Sequence, residues 1–86
     1  MKINKLIDII EKKISDSIVL QDIKIEDKSF LHKNHPTHID GKFHIKLIIK
    51  SSELKKENKV QAYKRIYSII SIEMKSYIHS IQILIR

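Results

Sequence analysis

The chain has 86 residues, 42% of them apolar, with 17 basic side chains against 10 acidic ones and a formal net charge of +7. That length predicts one domain over residues 1–86, with room for one compact core but not for the enclosed pocket of an elaborate enzyme. Cysteine is absent, which excludes disulfides, thiolate nucleophiles and any zinc or iron–sulfur site built wholly from the chain's own sulfur, so a metal held here must sit on His, Asp or Glu.

Ile3, Leu6, Ile7, Ile10 and Ile14 follow one helical face and predict an amphipathic helix over roughly residues 3–15. Asp8 interrupts this segment, and no long apolar run or small-residue cleavage site follows, so it does not read as a signal peptide. Nowhere does the chain approach the ~20 consecutive apolar residues of a membrane helix. A soluble cytoplasmic protein is the expectation.

After Ser15-Asp16-Ser17 the period changes, and Ile23 and Ile25 alternate with Asp22, Lys24 and Glu26, predicting a strand with one wet face. From Asp27 to Gly41 the apolar pattern lapses into a long loop that holds the only Pro and the only Gly and closes on an Asp40-Gly41 turn. Phe43, Ile45, Leu47 and Ile49 then alternate with Lys42, His44, Lys46 and Lys50, a second strand expected to pair antiparallel with the first. Ser51-Ser52-Glu53-Leu54 offers hydroxyl caps for a short helical turn, and Val60, Tyr63, Tyr67, Ile70 and Met74 predict the apolar stripe of a helix over roughly residues 58–74. At the end of the chain His79, Ile81, Ile83 and Ile85 fall on one side of a third strand, with Ser80, Gln82 and Arg86 on the other. The order α-β-β-α-α-β predicts an α+β fold, a three-stranded sheet with helices on one face.

Histidine is the informative residue type. His32, His35 and His38 recur at three-residue intervals in the loop, His44 opens the second strand and His79 begins the third. Neutral imidazole suits borderline metals such as zinc and iron, and a loop and a strand end can converge on one ion. Spacing alone favours the plainer reading, solvated loop histidines and a His79 satisfied by one hydrogen bond. No catalytic set competes, because Ser29, His32 and Asp27 lack a strained nucleophile turn and a single Gly makes no oxyanion loop. Of the 17 basic residues 15 are Lys, and Lys attracts phosphate without the bidentate base-edge fork of Arg. Lys50, Lys55, Lys56, Lys59, Lys64 and Arg65 against Glu53 and Glu57 nevertheless form a candidate phosphate footprint.

The run IEDKSFLHKNH, the strand FHIKLIIKSSEL, the helix VQAYKRIY and the segment YIHSIQI follow one another in an order that resembles the BolA family over about Lys5 to Ile85. The most specific parts are Asp27-x-Ser29-x-x-His32, His44 ahead of a strand closing on Ser51, Tyr67, and Ile78-His79. The resemblance implies a fold related to class II KH domains with a mixed sheet. It further implies a non-enzymatic adaptor, monomeric alone and heterodimeric with a monothiol glutaredoxin, with which it shares a bridging 2Fe–2S cluster in iron–sulfur trafficking or iron regulation. The partner's cysteine and glutathione would hold one side of the cluster. The ligands carried over to this chain, in which the histidine-bearing branch is matched, are His79 and His32, with His35 and His38 as loop alternatives. The isolated protein is expected to hold no cluster. DNA-binding regulation, attributed to some bacterial members, is the alternative. Two departures bear on it: Ala62-Tyr63-Lys64 stands where the family often has Arg-His-Arg, and Leu54 where an aromatic is usual.

Overall fold

Leu6, Ile10 and Ile14 stand four residues apart, so a helix places them on one face. In the computed structural model, which describes residues 1–29 and 42–86, α1 (Ile3–Ser17) buries all three completely. The helix ends as Ile18 turns extended while its N–H still reaches the Ile14 carbonyl at 2.9 Å. Strand β1 (Asp22–Asp27) pairs antiparallel with β2 (Phe43–Lys50), from Asp22 opposite Lys50 to Asp27 opposite Ile45. β2 in turn pairs parallel with β3 (Ile78–Ile85), which makes β2 the central strand of a mixed sheet ordered β1-β2-β3. A parallel pair needs a crossover, and α2 (Ser52–Lys55), α3 (Lys59–Ile69) and α4 (Ser71–Ser76) provide it.

The period of two along β2 sends Ile45, Leu47 and Ile49 into the helical layer, where no more than 2% of any of them is exposed. In the register they lie beside Ile81, Ile83 and Ile85 of β3, while Ile23 and Ile25 of β1 flank Ile49 and Leu47. Lys24, Glu26, Lys46 and Gln82 occupy the other face, the wet one expected from the sequence. Ser51 locks the exit of β2: its hydroxyl donates to the Val19 carbonyl at 2.8 Å and accepts from the Leu54 N–H at 3.2 Å, capping α2. No helix among the described residues is long and apolar enough to cross a membrane.

Two expectations about the second half of the chain are corrected. The helix expected over residues 58–74 is two helices, because Ile70 (φ −107°, ψ 27°) leaves the helical region between them. Hydrogen bonding is continuous through the bend, from the Ile70 N–H to the Ile66 carbonyl and from the Met74 N–H to the Ile70 carbonyl. Beyond it, the buried Glu73 takes both carboxylate oxygens to Lys13 Nζ, at 2.8 and 3.1 Å, and ties α4 to α1.

The core face of α3 is also not the stripe through Val60, Tyr63 and Tyr67. Of that expected stripe Ile70 is buried and Met74 packs against the core, but Val60 is 61% and Tyr67 40% exposed, and within α3 it is Ala62 and Ile66 that are buried. Tyr63 to Ala62 and Tyr67 to Ile66 are each one residue, so the face is rotated by roughly 100° from the expected stripe. The physical reason is packing: a small Ala and two isoleucines let α3 approach the layer closely, while a tyrosine hydroxyl prefers a polar outlet. Most of the loop expected between Asp27 and Gly41 lies outside the described residues, and with it His32, His35, His38 and the Asp40-Gly41 turn. Asp27 itself closes β1.

Candidate functional site

Phe43 of β2 lies opposite Ile78 of β3, yet the next residue, His44, lies opposite Ser80. One residue of β3, His79, is therefore left over in a bulge, and a bulge re-aims a side chain relative to strict alternation. Ile78 enters the core at 3% exposure, while His79 is exposed. The expectation that His79 shares a side with Ile81, Ile83 and Ile85 is thus corrected: the shift resets the alternation after it.

The same shift brings His44 beside His79. Their ring centroids are 4.9 Å apart, with the rings inclined at 61° in an edge-to-face arrangement. His44 is only 4% exposed, and its surroundings hold it. Its backbone N–H donates to the Ser29 hydroxyl at 3.1 Å, its carbonyl accepts from the Lys28 N–H at 2.7 Å, and its Nδ1 is 2.6 Å from the Ser80 hydroxyl. Ser29 is placed in turn by its N–H, which donates to the Asp27 carboxylate at 2.9 Å. The Asp27-x-Ser29 motif is therefore a local turn that fastens the end of β1 to the start of β2.

His44, named with the other histidines but given no ligand role and expected on the water-facing side of β2, is instead buried at the sheet end. The available signal was positional: in a parallel pair the starts of β2 and β3 lie together, so a His at each start places two imidazoles at one sheet end. What these side chains can offer a metal is limited. His79 presents an exposed imidazole, but the described residues contain no group of three or more His, Cys, Asp or Glu able to hold an ion. His32, His35 and His38 lie outside the described residues.

The candidate phosphate footprint is laid out along α2 and its flanks. Lys50, Lys55, Lys56, Lys59 and Lys64 are all exposed. Arg65 has a different occupation: its guanidinium donates to Glu53 at 2.8 Å and to Glu57 at 2.7 Å, clasping α2 and the following turn to α3. These bonds, Glu53 first and Glu57 next, push the Arg65 pKa further up and keep it charged. Leu54 and Ala62, two of the departures from the usual family residues, line one apolar cleft of about 240 Å³ with Ile85, rimmed by Lys55, Glu57 and Lys59.

The sequence model of the BolA-like protein family matches residues 14–86. The chain belongs to the BolA family. A BolA relative from Haemophilus influenzae, named as a DNA-binding transcriptional regulator, is 33% identical over 73 residues that cover 85% of this chain and 68% of the relative. The BolA domain of SufE1 from Arabidopsis thaliana superposes with a TM-score of 0.79 at 24% identity, covering 100% of this chain and 93% of that domain. BolA1 from the same plant gives 0.73 at 20% identity, over 90% of this chain and 85% of its own. These likenesses establish the BolA fold, an α+β arrangement with a three-stranded mixed sheet. In this BolA chain the quoted motifs have distinct tasks: Asp27 and Ser29 fasten the strand ends, Ser51 caps α2, and the two strand-opening histidines meet.

Proposed function

We propose that this BolA-family protein is a non-enzymatic adaptor of the cytoplasm, monomeric alone, that docks on a monothiol glutaredoxin and shares a 2Fe–2S cluster with it and with glutathione. The observation that carries the reading is His79, an imidazole turned outward by the bulge at the start of β3 and backed by the ring of His44. In this reading His79 is one ligand and a histidine of the loop, His32 ahead of His35 and His38, is the second. Imidazole in place of thiolate removes negative charge from such a cluster and raises its potential, which suits exchange or sensing.

Two imidazoles supply half of a tetrahedral shell, so assembly requires the partner's sulfur. The isolated protein, purified without a metal-affinity tag, is expected to carry no stoichiometric iron, and visible absorption distinct from that of the loaded glutaredoxin develops only on mixing the two. Elemental analysis finding one tightly held metal per isolated chain would point instead to a closed histidine site and sink the adaptor reading.

A second reading, a small DNA-binding regulator, is favoured by the name of the Haemophilus relative and by the exposed lysines around α2. Because Arg65 is committed to Glu53 and Glu57, the contacts in this reading fall to Lys50, Lys55, Lys56, Lys59 and Lys64. Each phosphate contact contributes about 0.9 to the slope of log affinity against log salt. Lys55→Ala should therefore flatten the slope by roughly that amount if α2 lies on the backbone. Retention on DNA with an unchanged slope would remove α2 from the interface.

A further inference from the structure

We infer that Ser80 is a positioning residue: through its contact with His44 Nδ1 it sets the ring of His44, and that ring sets the orientation in which the imidazole of His79 is presented. The inference deepens the adaptor reading and rests on it where the consequence for a cluster is concerned. Its geometric part stands on the chain alone.

His79 is the extra residue of the bulge, with no residue of β2 opposite it, and it is exposed. Neither ladder register nor burial selects its rotamer. The described ring contact is with His44, edge to face at 4.9 Å. His44 can act as a template because its backbone is fastened on both sides, through the Ser29 hydroxyl and the Lys28 N–H, and because it is almost fully buried. The twist of the ring is set by what its own atoms meet. Among the described residues, the group bonded to a ring nitrogen is the Ser80 hydroxyl, at 2.6 Å.

A hydroxyl suits this task. It can donate to a bare Nδ1 or accept from a protonated one, so the contact survives either neutral tautomer and the imidazolium. The register makes the contact specific to Ser80, since the bulge places this residue, and not His79, directly across from His44. Ser80 follows His79 immediately, so the residue that fixes the template and the residue that is oriented share one turn of strand.

The test compares Ser80→Ala and Ser80→Thr in the full chain. In the isolated protein, side-chain nitrogen and carbon resonances of His44 and His79 report ring environment, and three-bond couplings report the His79 rotamer. In parallel, the dissociation constant is measured against a monothiol glutaredoxin loaded with a 2Fe–2S cluster and glutathione. Ser80→Ala is expected to shift both sets of imidazole resonances, to spread the His79 rotamer, and to weaken the complex at least fivefold with the thermal midpoint little changed. Ser80→Thr, which keeps the hydroxyl, should restore all three. Native-like His79 resonances and couplings in Ser80→Ala would overturn the inference. So would an equal disturbance in Ser80→Thr, which would show that β3 packing and not the hydroxyl is responsible. If Ser80→Ala reorients His79 while neither it nor His79→Ala alters the complex, the orienting role stands and the ligand reading falls.

Discussion

Replacing His79 by Ala is expected to abolish the distinctive visible circular dichroism of the mixed cluster complex while the protein itself remains folded. The loss should be large because a shared shell with one ligand removed must recruit water or another side chain in place of imidazole. The fold should survive because His79 is exposed and unmatched in the ladder. Substitutions at such surface positions usually change stability by no more than about 0.5 kcal/mol. Far-ultraviolet circular dichroism and a thermal scan on the variant establish that it is folded before the complex is tested. A variant that is folded and yet forms a complex with the native visible spectrum would remove His79 from the ligand set.

The largest stability effect is expected from Ile66→Ala in α3. Ile66 is completely buried in the cluster that includes Leu6, Ile10, Leu47 and Ile70. Truncation leaves a cavity between helix and sheet, and comparable changes cost about 2–5 kcal/mol. For a domain of this size a loss of about 3 kcal/mol lowers the thermal midpoint by roughly 12–24 °C. Val60→Ala is the matched control on the same helix. With Val60 61% exposed, little packing is lost, and the higher helix propensity of Ala offsets part of it, so the midpoint should move by no more than about 4 °C. Urea or thermal unfolding of the two variants decides between the observed core face and the stripe expected from the sequence. Equal destabilisation by both would mean that α3 is rotated from the orientation described.

The contrast between these two residues shows where sequence patterning runs out. Val60, Tyr63, Tyr67 and Ile70 make as good an apolar stripe as Ala62, Ile66 and Ile70, because periodicity counts side chains as apolar without asking which of them fit a neighbour. Only α1 and the sheet, by the closeness of their approach, select Ala62 over Tyr63. The same limit applies to the bend at Ile70: no Gly or Pro marks it, and its partner contact, Glu73 with Lys13, joins residues 60 positions apart.

What the sequence by itself determined was the local grammar: the buried face of α1, the cap of α2 at Ser51, the alternation of β1 and β2, the antiparallel pairing across the first two strands, and motifs sufficient to resemble the BolA family. Each rests on interactions within a few residues or on strict alternation, which a single chain displays directly. The tertiary structure alone decided that His79 is a bulge residue turned outward, that His44 lies against it, that Ser80 meets His44 from 36 residues away, and that Arg65 is spent on Glu53 and Glu57. The physical reason is that register between parallel strands is set by packing across the whole crossover: one residue of slip reverses which side chains face water, while the residue types along each strand stay the same.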